Sequence, residues 1–207
     1  MITPMTLFPV VLPVAEVGYK LSGKEQVARL SRISREALRL SAKKSGVVLG
    51  ELSKDEDDIP RPFNGNYWSV SHKPQYVAAV VSKTEIGIDI EEIKPRAESI
   101  FDLVASDEEW DLSKDRSWYM FFRYWTAKEA VLKAVGIGIC GLRACKVCRI
   151  PDERHIILGY KNRSFQVAQL NYNNHIVSVL GDNHRIEWNL AEDFSYSARQ
   201  FIILGMQ

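Results

Sequence analysis

Two short stretches hold side chains whose types and spacing could do chemistry. In TEIGIDIEEI, residues 84–93, Asp89 and Glu91 alternate with Ile86, Ile88 and Ile90. That period of two puts carboxylates on one face of a strand and aliphatic side chains on the other. Gly87 falls on the acidic face and would let a bulky ligand approach the backbone. In FFRYWTAKEAVLKAVG, residues 121–136, Glu129 and Lys133 stand four apart and so point the same way on a helix, with Lys128 on the adjoining flank. A magnesium ion takes hard oxygen ligands from a few carboxylates and leaves other positions for water and substrate phosphate. Asp89, Glu91 and Glu129 would give such a partial shell, and Lys128 and Lys133 would neutralise phosphate charge beside it. A surface ion pair explains Glu129 and Lys133 equally well when they are taken alone; the convergence of both stretches points to a metal and diphosphate cradle.

Other basic residues could hold a more distant phosphate. Ser22 and Glu25 spell a capping box ahead of a helix that ends near Gly46, with Val27, Leu30, Ile33, Ala37 and Leu38 on its buried side. Arg32, Arg35, Arg39 and Lys43 form a stripe on its other side, either a solvated face or an anion site. Ser71 and His72 lie upstream of the acidic strand, without the elbow of a hydrolase nucleophile. Ser106 with Glu109 spells a second capping box, a structural reason for that glutamate. GIGICG, residues 136–141, has dinucleotide-loop spelling but ends a helix instead of following a strand.

The elements that must position these residues follow from pattern. The apolar N-terminal segment, broken by Pro4, Pro9 and Pro13, reads as an opening strand and is too short to span a bilayer. YWSVSHK is followed by the buried run YVAAVV, a turn at Ser82 and Lys83, and the acidic strand, a hairpin by pattern. A helical region runs from Ser106 to Gly136, and strands follow it. Helix-then-strands therefore occurs twice, which predicts an α+β fold with an internal pseudo-repeat, residues 1–105 and 106–207.

With 207 residues, 46% of them hydrophobic, the chain can bury a sizeable core, and a net charge of +1 excludes a dedicated nucleic-acid binder. Cys140, Cys145 and Cys148, in a chain with no export signal, suit a reducing cytoplasm and read as small buried thiols.

GIDIE followed by WTAKEAVLKAVG resembles the paired signature motifs of the 4'-phosphopantetheinyl transferases, in spacing and length the monomeric surfactin-synthetase-activating type. SVSH and the Arg61–Pro62 pair match weaker motifs of that family. The resemblance implies two similar α/β halves related by a pseudo-twofold, with coenzyme A bound between them. It implies transfer of the phosphopantetheine arm to a serine of an apo acyl or peptidyl carrier protein, with magnesium required, and no nucleic-acid or membrane partner. Asp89, Glu91 and Glu129 match the metal ligands, and Lys128 and Lys133 the phosphate-binding lysines. Ser71 and His72 match the segment at the 3'-phosphate of coenzyme A, and Arg61 and Arg35 match its nucleotide site, with Arg32 or Arg39 as alternatives to Arg35. Glu109 is the first choice of base for the serine proton and Glu129 the second. A metal-dependent phosphohydrolase and a silent carrier-protein-binding relative are the alternatives.

Overall fold

In chain order the elements are β1 (Thr6–Leu7), β2 (Val10–Pro13), α1 (Gly23–Lys44), β3 (Tyr67–His72), β4 (Tyr76–Ser82), β5 (Ile88–Glu92), α2 (Phe101–Val104), α3 (Asp107–Asp111), α4 (Trp118–Ala134), β6 (Lys146–Asp152), β7 (His155–Tyr160), β8 (Arg163–Tyr172), β9 (His175–Leu180), β10 (Arg185–Ile186) and β11 (Asn189–Leu190). They belong to a computed structural model that describes residues 4–15 and 22–193. The N-terminal segment supplies β1 and β2; the remainder of residues 1–20 lies outside the described residues, apart from the short connections. The architecture is α+β.

Local signals set the ends of both long helices. Ser22 caps α1, with Glu25 N donating to Ser22 Oγ at 3.3 Å and Ser22 N donating to Glu25 Oε2 at 2.8 Å. At the other end Gly46 (φ 66°) sends its N–H to Lys43 O, and Val47 N reaches back to Ala42 O. Gly136 (φ 67°) ends α4 in the same way, donating to Lys133 O while Ile137 N donates to Leu132 O. Both are closures that need a left-handed residue, which glycine adopts at little cost. The glycines of GIGICG thus begin with a helix stop.

Three sheets result: β1 pairs with β10, a four-stranded sheet runs β11-β2-β4-β3, and a five-stranded sheet runs β5-β9-β8-β7-β6. The expected hairpin across Ser82 and Lys83 does not form. Both edges of β4 are already taken, by β2 and β3, so β5 crosses over and pairs antiparallel with β9, Asp89 opposite Ser178 and Glu91 opposite Ile176. The acidic strand, on the N-terminal side of a division at residue 105, thereby joins the sheet of the C-terminal strands. The continuous apolar run of β4 has a reason as well. Val77, Ala79 and Val81 pack with Leu30, Ile33, Ala37 and Leu38 of α1, while Ala78 and Val80 face a second core with Ile88, Phe121 and Leu132. A strand covered on both faces needs no polar side.

Two apolar expectations change. Val27 is 68% exposed, because burial on α1 begins only at Arg29 and Leu30, where the helix meets the sheet. Gly87 does not make room for a ligand. A Cβ there would stand 1.8 Å from Ala130 O, so its bareness lets the backbone of α4 lie against the start of β5. No helix among the described residues is long and apolar enough to cross a membrane.

Candidate functional site

The period of two on β3 and β5 brings their polar residues together. Ser69 Oγ accepts from Ile88 N at 3.1 Å, and two residues on, Ser71 Oγ donates to Asp89 Oδ1 at 2.7 Å. From α4, Lys133 Nζ donates to the same Oδ1 at 2.6 Å and to Ile88 O at 3.1 Å. Glu91 Oε1 lies 2.6 Å from Lys73 Nζ, and its Oε2 3.5 Å from Arg96 Nη2. Asp89 and Glu91 are both buried. Glu129 completes the group electrostatically: burial raises its pKa first, Asp89 next and Glu91 further, with Lys133 and Lys73 acting against them.

Two oxygens in this cluster, Asp89 Oδ2 and Glu129 Oε1, are buried with no hydrogen-bond partner among the described residues. A buried bare carboxylate oxygen is costly and demands a cation or a proton. Among the described residues no three acidic, histidine or cysteine side chains are gathered as a ready-made metal shell. The donors nevertheless fit a hard divalent cation: they are carboxylate oxygens, Asp89 and Glu91 both raise the proton affinity of Glu129, and two of the oxygens lack partners among the described residues. Asp89, Glu91 and Glu129 are the residues that would hold it.

Two adjoining hollows lead away from the cluster. One, about 240 Å³, reaches Ser69 and Lys133 at one end and Lys54 and Val70 at the other. The next, about 300 Å³, shares Lys54 and Val70 and is lined by Arg35, His72, Trp68 and the exposed Val27. Of the α1 arginines, Arg35 faces this hollow, whereas Arg39 is paired with Glu36 at 2.7 Å. Burial lowers the pKa of His72 most, and the nearby charges of Lys73 and Lys133 lower it further. Arg61 is exposed and lines neither hollow; its main chain ties the loop, its carbonyl accepting from Trp68 Nε1 at 2.9 Å. Lys54 and Lys73 escape the sequence reading. Lys54 sits in a mixed-charge loop and Lys73 in a turn, so neither carries a periodic signal. A further hollow, about 760 Å³, lies by Arg149, Arg163, Asp182 and His184 and contains no member of the acidic cluster.

Glu109 and Lys128 occupy a different place. Glu109 receives five donors: Lys128 Nζ at 2.7 Å, Lys146 Nζ at 3.3 Å, Val147 N at 2.7 Å, and Ser106 N and Oγ at 3.0 and 3.3 Å. Burial by itself would raise its pKa, but Lys128 and the Ser106 and Val147 amides outweigh burial and hold it below the ordinary glutamate value. Lys128 is fully buried and also donates to Val104 O at 2.5 Å. In the ligand-free structure Lys128, expected at a phosphate, thus ties α4 to the α2–α3 corner, and both carboxylate oxygens of Glu109, expected as the base, accept hydrogen bonds. Adjacent positions on a helix diverge by about 100°, which is why Lys128 turns inward while Glu129 reaches the cluster. The cysteines also separate: Cys145 is buried, its thiol pushed up to about 12 by burial, whereas Cys140 and Cys148 are exposed, not buried as expected.

The fold and this cluster define an α+β protein with carboxylates and lysines opposed where β3, β5 and α4 meet. The chain belongs to the 4'-phosphopantetheinyl transferase superfamily, whose family model matches residues 85–191, just over half of it. That segment contains Asp89, Glu91, Glu109, Lys128, Glu129 and Lys133, and it leaves out Arg35, Arg61, Ser71 and His72. Among its relatives, the 4'-phosphopantetheinyl transferase HetI of Nostoc sp. is 31% identical over 122 residues, covering 52% of each chain. The 4'-phosphopantetheinyl transferase psf-1 of Bacillus pumilus is 32% identical over 96 residues, 44% of this chain and 41% of its own. The 4'-phosphopantetheinyl transferase AcpT of Escherichia coli is 35% identical over 97 residues, 44% of this chain and 48% of its own. The chain thus spans about half the length of the curated relatives it matches.

Proposed function

We propose that this protein transfers the 4'-phosphopantetheine arm of coenzyme A to a serine of an apo acyl or peptidyl carrier protein, releasing adenosine 3',5'-bisphosphate. It works as a monomer in a reducing cytoplasm, with its two helix-on-sheet halves related by a pseudo-twofold. The observation that carries this reading is the pair of buried, partnerless oxygens, Asp89 Oδ2 and Glu129 Oε1, beside Lys133 and at the end of hollows lined by Lys54, Arg35 and His72. Carboxylates at one end and cations along the path are what a diphosphate joined to a phosphorylated nucleoside asks for.

Each residue has a task in that reaction. Arg35, Lys54 and His72 bind the nucleotide end, with Trp68, Val70 and Val27 as the apolar wall. Lys133 leaves Asp89 for the diphosphate and neutralises charge as the serine Oγ–P bond forms and the bond to the bridging oxygen breaks. Asp89, Glu91 and Glu129 hold magnesium, which when bound supplies further charge stabilisation at the diphosphate. The serine proton passes to the carboxylate of Glu129, whose proton affinity burial and Asp89 raise. Glu109 takes no proton; with Lys128 it fixes α4. Ser71 holds the Asp89 carboxylate in place.

The test is incubation with coenzyme A, magnesium and an apo carrier protein, read by intact mass. Addition of one phosphopantetheine to the carrier supports the transferase. Loss of phosphate from coenzyme A alone would instead make the protein a phosphohydrolase, and no change would make it a silent carrier-protein binder.

A further inference from the structure

Lys73 follows His72 in the turn between β3 and β4. Its backbone is fixed, N donating to Tyr76 O at 2.8 Å, so only its side chain can move. That side chain is 29% exposed and ends 2.6 Å from Glu91 Oε1. Its charge also lowers the proton affinity of Glu129 and of His72, so it stands within reach of both the acidic cluster and the nucleotide hollow. Cations are unevenly shared in the cluster. Among the described residues Glu91 has two, Lys73 and Arg96, and Asp89 Oδ1 has Lys133, while Asp89 Oδ2 and Glu129 Oε1 have no hydrogen-bond partner.

We propose that Lys73 is a resident counter-ion that trades places with a divalent cation: it neutralises Glu91 in the ligand-free protein and swings to the substrate's phosphates when the cation takes Glu91. The inference rests on Asp89, Glu91 and Glu129 being the cation-holding set. Three clustered carboxylates repel one another and need positive charge at all times. A lysine on a flexible stem is a movable point charge that can supply it until a stronger cation arrives. The incoming cation would repel the ammonium, which its partly exposed, flexible stem leaves free to turn toward the hollow that the neighbouring His72 lines. One residue therefore has two effects of opposite sign. It weakens cation binding when coenzyme A is absent and strengthens coenzyme A binding once the cation is in place. A purely structural lysine would do neither, and an ordinary phosphate-binding lysine only the second.

The experiment is calorimetric titration of the whole chain with magnesium alone at low ionic strength, then with coenzyme A at saturating magnesium. Lys73→Met and Lys73→Gln should each bind magnesium about tenfold more tightly than wild type, and coenzyme A about tenfold more weakly. Lys73→Arg keeps the charge and should titrate with magnesium like wild type, as should Lys83→Met, at an exposed lysine before β5. If wild type binds magnesium and both neutral variants bind it equally or more weakly, the counter-ion role is overturned while the cation site stands. If wild type and Asp89→Asn titrate alike, the cation reading itself fails and this inference falls with it.

Discussion

Gly87→Ala tests whether the site depends on backbone contact between α4 and β5. The added Cβ would meet Ala130 O at 1.8 Å, and both Ala130 C and Ala134 N at 2.9 Å. These are backbone atoms of a helix, so no rotamer change relieves the clash. Ordinary contact begins near 3.4 Å, so α4 must retreat by roughly 1.5 Å. Glu129 and Lys133 flank the contact on the same helix and would move with it, away from Asp89. Overpacking of this kind costs about 3 kcal/mol, and displacement of reacting groups by about 1 Å costs ~10²-fold in rate. Urea denaturation reads the first and phosphopantetheine transfer under saturating substrates the second. Gly23→Ala is the control. It adds a methyl at the start of α1 with nothing among the described residues within 4 Å, and should leave the rate unchanged and stability equal or up to about 1 kcal/mol higher. A Gly87→Ala protein with wild-type urea midpoint and wild-type rate would refute the reasoning.

Glu109→Gln should lose about 3 kcal/mol or more in urea melts, because it leaves the fully buried Lys128 ammonium without its ion partner; the double variant with Lys128→Met should recover much of that loss. A stable Glu109→Gln protein with kcat alone reduced by ~10²-fold or more would instead restore Glu109 as the base. Glu129→Gln should stabilise the cation-free protein at neutral pH. Burial and Asp89 raise the pKa of Glu129 above its unfolded value, so its contribution falls as pH rises from the ordinary carboxylate range through the raised folded value, and glutamine removes that slope in melts run from acid to neutral pH. His72→Ala should raise KM for coenzyme A severalfold with little change in kcat, and less so for dephospho-coenzyme A; equal loss with both substrates would detach His72 from the 3'-phosphate.

What the sequence made legible is what short-range periodicity encodes. The acidic face of β5, the capping boxes at Ser22 and Ser106, and the stop at Gly136 depend on residues within a turn or two of one another, and the structure has them all. What it hid depends on partners distant in the chain. Lys128 and Lys133 read alike in sequence, and only the fold reveals that the side of α4 carrying Lys128 meets Glu109. Gly87 looked like space for a ligand because Ala130 is remote in sequence. The hairpin failed for the same reason: β4 and β5 are adjacent in sequence, but the competition for the edges of β4 is won by β2 and β3. Lys54 and Lys73 enter the proposed site through position alone, and no composition or spacing marks them.

The pairing of β5 with β9 also bears on how the protein comes to exist. A ribosome releases the GIDIE segment long before residues 175–180, the strand against which it must lie, and the four-stranded sheet likewise waits for β11 to cover β2. Nascent chains lacking these late strands would have the carboxylates and the lysines but not the register that aligns them. Pairings so distant in sequence are slow to form because loop closure precedes any reward. Birth of the site is thus among the last events of folding, and an intermediate stalled before it would expose the bare edge of β5 to other chains.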